Sequence, residues 1–345
     1  MKWPRIAIET SDGPRDAIAP QIISASRSSD IPAFHAKWFA ERLQAGYCKW
    51  VNPFNRQAQY VSFENTRAIV FWSKYPAPIV SFLSLLNERD IAYYFQFTVN
   101  DYEDEGLEPN VPSLSERIRV FKDLSSRIGK DRVIWRFDPL VLTAHISTDD
   151  LLRKIMRIGS ELHPFTEKLV FSFIDVQIYA KVRNNLKRCG VAVREFDMAS
   201  MREFAGRLVE CAKAWGLKLC TCGESVDLSS FGIEHNRCID DELILRLARH
   251  DPELLRLLRR GSARGVDLFS SPDVDRQAIK DKGQREACGC VISKDIGQYN
   301  TCPHLCMYCY ANTSARVVQE NIERATATSE SILPVSSNIG DEREP

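Results

Sequence analysis

The chain has 345 residues, 44% of them hydrophobic and 27% charged, the usage of a globular protein with a large core; its apolar runs fall short of the ~18 residues that a membrane span needs. Its 46 basic and 46 acidic side chains cancel, so no global field draws it to nucleic acid or to an anionic membrane surface. Its eleven cysteines are an odd number for a disulfide framework, and no apolar leader follows Met1-Lys2-Trp3-Pro4-Arg5, so the expectation is a cytoplasmic protein whose thiols stay reduced and free for metal.

In chain order, Gln21 to Ser26 reads as a buried strand, and Phe34, Trp38, Phe39 and Leu43 follow at helical spacing. Further strands are predicted at Tyr47 to Val51, Ala68 to Trp72, Tyr93 to Val99, Val133 to Phe137 and Leu169 to Ile174. Helices fall between them at Ile79 to Glu88, Leu114 to Ile128 and Leu151 to Leu162. A helix from Tyr179 to Cys189 precedes a strand at Val191 to Val193, and a long helix from Met198 to Trp215 precedes a strand at Leu217 to Cys220. Repeated βα units force parallel strands. Between an open doubly wound sheet and a barrel, the polar residues favour a parallel α/β barrel of the TIM type, complete or nearly so, over residues 1–219. Arg27 within Ser26 to Asp30, Ser73 with Lys74, Gln96 with Thr98, Arg136 with Asp138, Ser172 with Asp175, and Cys220 with Cys222 all sit at carboxyl ends of predicted strands. A barrel gathers those ends at one mouth. Arg27, Lys74, Gln96, Arg136 and Asp138 are the candidates there for gripping a polar or anionic small molecule. No glycine-rich phosphate loop of the Rossmann or P-loop type occurs.

The densest signal is Cys302-Pro303-His304-Leu305-Cys306-Met307-Tyr308-Cys309. Three thiolates this close can take three irons of a cubane and leave the fourth without a protein ligand; structural zinc sites more often show paired C-x2-C spacing. The triple resembles the cluster motif of the radical S-adenosylmethionine (SAM) superfamily, including the aromatic residue Tyr308 before the last cysteine. That resemblance implies a [4Fe-4S] cluster on Cys302, Cys306 and Cys309, SAM on the open iron, Tyr308 near the adenine, and reductive cleavage of SAM to a 5′-deoxyadenosyl radical. The superfamily's motif follows the first strand, whereas here it follows all the predicted βα units, so the arrangement looks permuted or appended. The whole chain is also similar to a family with such a cluster at its C-terminus. Ser26 to Pro32, Phe71 to Lys74, Trp135 to Pro139 and Cys288 to Asn312 carry that likeness, over residues from about 20 to 312. Fold and cofactor are implied, a substrate is not.

A second group, Cys220, Cys222, Cys238, Cys288 and Cys290, supplies enough thiols for an auxiliary [4Fe-4S] cluster, with Cys222, Cys238, Cys288 and Cys290 preferred and Cys220 as substitute. Four thiolates on zinc are the alternative. Residues 220–325 then form a cysteine-rich segment capping the mouth, with Lys280 to Glu286 as the loop carrying Cys288. Cys48, Cys189 and Cys211 read as small buried apolar residues, Glu242 to Arg260 as a helix or helical pair with a solvated Arg-rich face, Ala315 to Ala325 as a short helix, and 326–345 as a disordered tail. The expected function is radical catalysis on a polar small molecule, with electrons from a donor such as a flavodoxin or ferredoxin. The rivals are a zinc-containing hydrolase or isomerase and a non-catalytic iron-sulfur carrier or sensor.

Overall fold

A computed structural model describes residues 3–258 and 279–333. The chain opens with an antiparallel hairpin, β1 (Arg5–Thr10) and β2 (Gly13–Ile18), followed by the short buried strand β3 (Ile22–Ala25), the helices α1 (Ile31–Phe34) and α2 (Ala36–Ala45), and β4 (Tyr47–Val51) and β5 (Ala58–Ser62). Then come β6 (Ala68–Ser73), α3 (Ser84–Asn87), β7 (Ala92–Thr98), α4 (Leu114–Ile128), β8 (Val133–Leu140), β9 (Leu142–Thr143), α5 (Thr148–Leu162) and β10 (Lys168–Phe173). The remainder comprises α6 (Ala180–Arg188), β11 (Val193–Arg194), α7 (Met198–Ala212), β12 (Lys218–Thr221), β13 (Glu234–His235), α8 (Asp241–Leu247), α9 (Pro252–Leu258), β14 (Lys294–Asp295) and a last helix, Ala315–Arg324.

The expected barrel is corrected. The strands form an eight-stranded sheet in the order β13-β12-β10-β8-β7-β6-β3-β14, parallel throughout, and no strand pairing joins β13 to β14 among the described residues. Between those edges the backbone is irregular: Val291 donates to the Ile239 carbonyl at 3.1 Å and Ile292 to the Ile279 carbonyl at 2.7 Å. Two predicted strands also lie outside the sheet. β4 joins a four-stranded sheet ordered β1-β2-β5-β4, and β11 pairs with β9 alone. An apolar run shows that a strand is buried, but not which sheet buries it.

The sheet strands read as near-continuous apolar runs because both faces are covered. Alternation divides them between two cores: Ile69, Phe71, Phe95 and Phe97 face Phe39, Phe121, Ile155 and Phe204 on the surrounding helices, while Ile22, Ala68, Val70, Tyr94, Ile134 and Val170 face Ile239, Leu243, Leu254 and Leu257 from the α8–α9 region. The helices start where side chains satisfy free backbone donors. Ser113 caps α4 at the Glu116 N–H, and capping boxes start α5 (Ser147 with Asp150) and α7 (Asp197 with Ser200). The predicted helix from Ile79 is a 3-10 turn, Ala77–Phe82, running into α3. Of the expected tail, residues 326–333 pack against the N-terminal sheet: Tyr47 donates to Glu330 at 2.6 Å, and Ile332 is buried. Residues 334–345, and the end of the predicted 242–260 helix beyond 258, lie outside the described residues.

Gly159 in α5 makes room for Trp215, since a Cβ there would lie 2.0 Å from Cη2 of that indole. Gly159→Ala should therefore destabilise the protein by about 1–3 kcal/mol through overpacking, against a helix-propensity gain of up to about 1 kcal/mol. A chemical-denaturation midpoint checks this, and an unchanged or raised midpoint would contradict the close contact.

Candidate functional site

On the second face of the sheet the inward-facing residues are apolar toward the amino ends of the strands and polar toward the carboxyl ends. Tyr94 is followed by Gln96, Ile134 by Arg136, and Val170 by Ser172, because a side chain two residues on returns to the same face. All five sequence candidates lie in this polar layer or at its edge. Gln96 and Arg136 are buried, Lys74 and Arg27 are nearly so, and the Asp138 side chain is 24% exposed.

The cysteine triple is pinned over one side of this layer by buried ionic contacts. Asp30 accepts from Ser73 Oγ (2.7 Å), Lys74 N (2.7 Å) and His304 Nε2 (2.9 Å), and caps α1 at Ala33 N (3.0 Å). His304 thus ties the middle of the Cys302–Cys309 loop to the ends of β3 and β6. Glu108 forms a second anchor. Its carboxylate takes Lys74 Nζ at 2.6 Å, Asn100 Nδ2 at 3.0 Å and the Tyr308 hydroxyl, with Arg117 Nη1 at 3.6 Å from its other oxygen. Burial alone would raise the Glu108 carboxyl, but the charges of Lys74 and Arg117 and the hydrogen bonds from Lys74 and Tyr308 outweigh it and hold the group at about 2. Tyr308 is accordingly buried, with its hydroxyl engaged at Glu108 and Asn100 and its ring edge-on to Tyr102.

Burial pushes all three loop thiols up, and Cys302 and Cys309 add to the rise at Cys306. Cys309 Sγ accepts backbone N–H bonds from Ala311 and Asn312, each at 3.3 Å. Asn185 Nδ2 holds the Cys309 and Asn312 carbonyls at 2.8 and 3.0 Å.

The second cysteine group assembles around Cys238. Cys222 Sγ lies 3.2 Å from Cys238 Sγ, and Cys290 is near enough to shift the titration of both Cys238 and Cys288. Cys220 lies deeper on the same face, beside Val170, and its thiol is pushed up to about 11 by burial; the charges around it are Lys168, Lys218, Glu234 and Asp240. Donors point at these sulfurs as well: Arg136 Nη1 at 3.0 Å and Asn236 Nδ2 at 3.4 Å from Cys238, and Ile239 N at 3.4 Å from Cys290. A charged sulfur is the acceptor that best rewards such donors. The donor chemistry therefore fits thiolate-ligated metal at both groups, although no set of three or more His, Cys, Asp or Glu among the described residues is already spaced as a metal cage. The 3.2 Å sulfur contact is that of a thiol hydrogen bond, shorter than the ~3.8 Å between thiolates on tetrahedral zinc with 2.3 Å bonds.

Beside the second group stands Arg27. Its guanidinium lies 5.1 Å over Trp72 and 3.8 Å from Asp281, with Cys290 and Asp295 also near it, and its Nη2 is buried without a hydrogen-bond partner. Its backbone N–H is fixed by Asp295 Oδ2 at 2.8 Å, and the Tyr310 hydroxyl donates to its carbonyl. Sequence reading missed Asp30, Asn100, Glu108, Asp295 and His304. Asp30 and His304 stood inside segments already singled out, whereas nothing local marks Glu108 in its loop. Cys48 is buried as expected, but Cys189 and Cys211 are exposed, a correction: one caps α6 and the other lies on the outer side of α7.

The family model described as "Domain of unknown function (DUF1848)" matches residues 22–311. The chain belongs to the DUF1848 family. No curated protein matches this DUF1848 chain. Among solved structures it is similar to a protein provisionally assigned as an alpha-L-fucosidase of Bacteroides thetaiotaomicron, at 12% identity and TM-score 0.25 over 53% of this chain and 72% of that one. It is also similar to a dihydropyrimidinase of Brevibacillus agri, at 12% identity and TM-score 0.28 over 78% of this chain and 53% of that one. No helix among the described residues is long and apolar enough to cross a membrane.

Glu108→Gln would leave Lys74 and Arg117 without their buried counter-charge and should cost about 3–5 kcal/mol. The folded Glu108 titrates at about 2 against an ordinary 4.5, so its contribution is present above pH 4.5 and is lost as pH falls toward 2. Denaturant titrations between pH 7 and pH 3 should show the variant's deficit shrinking below pH 4.5; a constant deficit would contradict the assignment.

Proposed function

We propose that the chain is a radical SAM enzyme: Cys302, Cys306 and Cys309 would hold a [4Fe-4S] cluster with one open iron, and Cys222, Cys238, Cys288 and Cys290 an auxiliary metal centre, with a four-iron cluster preferred over zinc. The observation that carries the reading is the seating of the triple. Three thiols, one of them accepting two backbone N–H bonds, lie on a loop fixed to the carboxyl ends of β3, β6 and β7 by Asp30–His304 and Glu108–Tyr308. When bound, the cluster supplies the electron that cleaves the sulfonium of SAM to a 5′-deoxyadenosyl radical.

The chain's own residues do the positioning. Asp30, His304 and Asn185 hold the loop backbone, and Glu108 holds Tyr308 and Lys74 at fixed distances from Cys306. Lys74 and Arg136 are already engaged by Glu108 and Asp138. Arg27, with an unpartnered buried Nη2, is therefore the residue assigned to an anionic group of the substrate or of SAM. Tyr179 and Tyr310, 5.8 Å apart, and Arg285, 4.8 Å from the Tyr179 ring, form an aromatic and cationic cluster at the outer side. A polar small molecule fits such a lining, and the reductant would be a small electron-transfer protein.

Anaerobic reconstitution followed by iron, sulfide and zinc analysis, with EPR of the reduced protein before and after SAM, tests the reading. About eight irons per chain and a SAM-perturbed signal are expected, and Cys306→Ala should lose the SAM-sensitive signal and about half the iron. Zinc alone, with no SAM-sensitive signal, would overturn it.

A further inference from the structure

We propose that Arg136 is a positioning residue that sets the redox potential of the four-thiol centre through its hydrogen bond to Cys238, and that it takes no part in binding substrate. The inference rests on the auxiliary centre of the preceding reading.

Arg136 projects from β8 into the inner layer and is 3% exposed. One arm, Nη1, lies 3.0 Å from Cys238 Sγ and 3.1 Å from Gln96 Oε1. The other, Nη2, is taken by Asp138, whose second oxygen accepts from Ser172 Oγ. The sheet grips Cys238 at its carbonyl too, from Tyr94 OH at 2.7 Å and Gln96 Nε2 at 2.9 Å. β7 and β8 thus hold both ends of this residue, with Asn236 of its own loop adding a longer contact to the sulfur at 3.4 Å. Asp138 balances the guanidinium charge, so what Arg136 contributes at the sulfur is a directed, charge-assisted N–H donor in a dry site. A neutral thiol gains little from such a donor, and a metal-bound thiolate gains about twice the usual hydrogen-bond energy. Adding an electron to a thiolate-ligated cluster increases the negative charge on its sulfurs, so a donor fixed on one of them stabilises the reduced form and raises the potential. Facing the Arg136 guanidinium are Asp138 and the Cys238 and Cys222 sulfurs. The same contacts remove Arg136 from the substrate-facing surface, where the sequence alone had placed it.

The test uses the full chain carrying Cys302→Ala, Cys306→Ala and Cys309→Ala, which isolates the four-thiol centre, and compares Arg136→Lys and the pair Arg136→Met with Asp138→Asn by an EPR-monitored potential titration. Removing Asp138's charge along with Arg136's separates the hydrogen bond from an uncompensated carboxylate. The paired variant should shift to a more negative potential by at least tenfold in the reduced-to-oxidised ratio, about 59 mV for one electron, and Arg136→Lys should fall between. An unchanged midpoint with the iron retained would falsify the proposal. So would loss of iron from both variants with a native circular dichroism spectrum, which would make Arg136 a determinant of metal binding alone. Zinc in place of iron in the triple-alanine background overturns the redox role while leaving a SAM-sensitive signal in the parent protein intact, so the two readings fail separately.

Discussion

A single buried carboxylate carries more of this architecture than its size suggests. Asp30 caps α1, receives the hydroxyl and the N–H at the end of β6, and pairs with His304, 274 residues further along the chain. Its four hydrogen bonds join three different segments, α1, the end of β6 and the cysteine loop. Burial would raise its pKa, and the hydrogen bond and charge of His304, with the donors from β6, bring it below the ordinary value instead. Without this contact the first half of the cysteine loop would lose its tie to β3 and β6 and keep only the anchors at Tyr308 and Cys309. With it, the loop inherits the rigidity of two central strands.

The rest of the polar layer follows the same logic. β-strand alternation delivers Gln96, Arg136 and Ser172 to one face without any loop having to fold correctly. A dry layer of this kind demands that its members be paired, and they are: Lys74 with Glu108, Arg136 with Asp138, and Asn100 shared between Glu108, Tyr308 and the Asp138 carbonyl. Arg27 keeps one buried donor without a hydrogen-bond partner, beside Cys290 of the second cysteine group.

Much of this was legible in the chain. The βα alternation gave six of the eight sheet strands to within a residue or two at most ends, because strands covered on both faces leave continuous apolar runs. The four thiols of the second group were identifiable from residue type and separation, and the structure brings Cys222, Cys238, Cys288 and Cys290 together while leaving Cys220 below them. Closure was not legible. Whether the last strands pair depends on backbone geometry at β13 and β14, two residues each, too short to leave a periodic signature. The Glu108 hub was invisible for a different reason: its partners come from four separated segments, and no local pattern records a tertiary ion pair. Cys189 and Cys211 show the weakness of assigning burial by residue type when a helix has two faces.

The pairing of β14 with β3 has a consequence for the order in which the molecule can be completed. Ser24 and Asp295 are 271 residues apart and share a hydrogen bond, so one edge of the first sheet strand stays open until residue 295 has left the ribosome. Long-range pairings of this sort form late, because the loop they close is costly. The segment that finishes the sheet leads directly into Cys302. Completion of the sheet thus immediately precedes the Cys302–Cys309 loop in the chain, and a chain truncated before residue 295 would lack both.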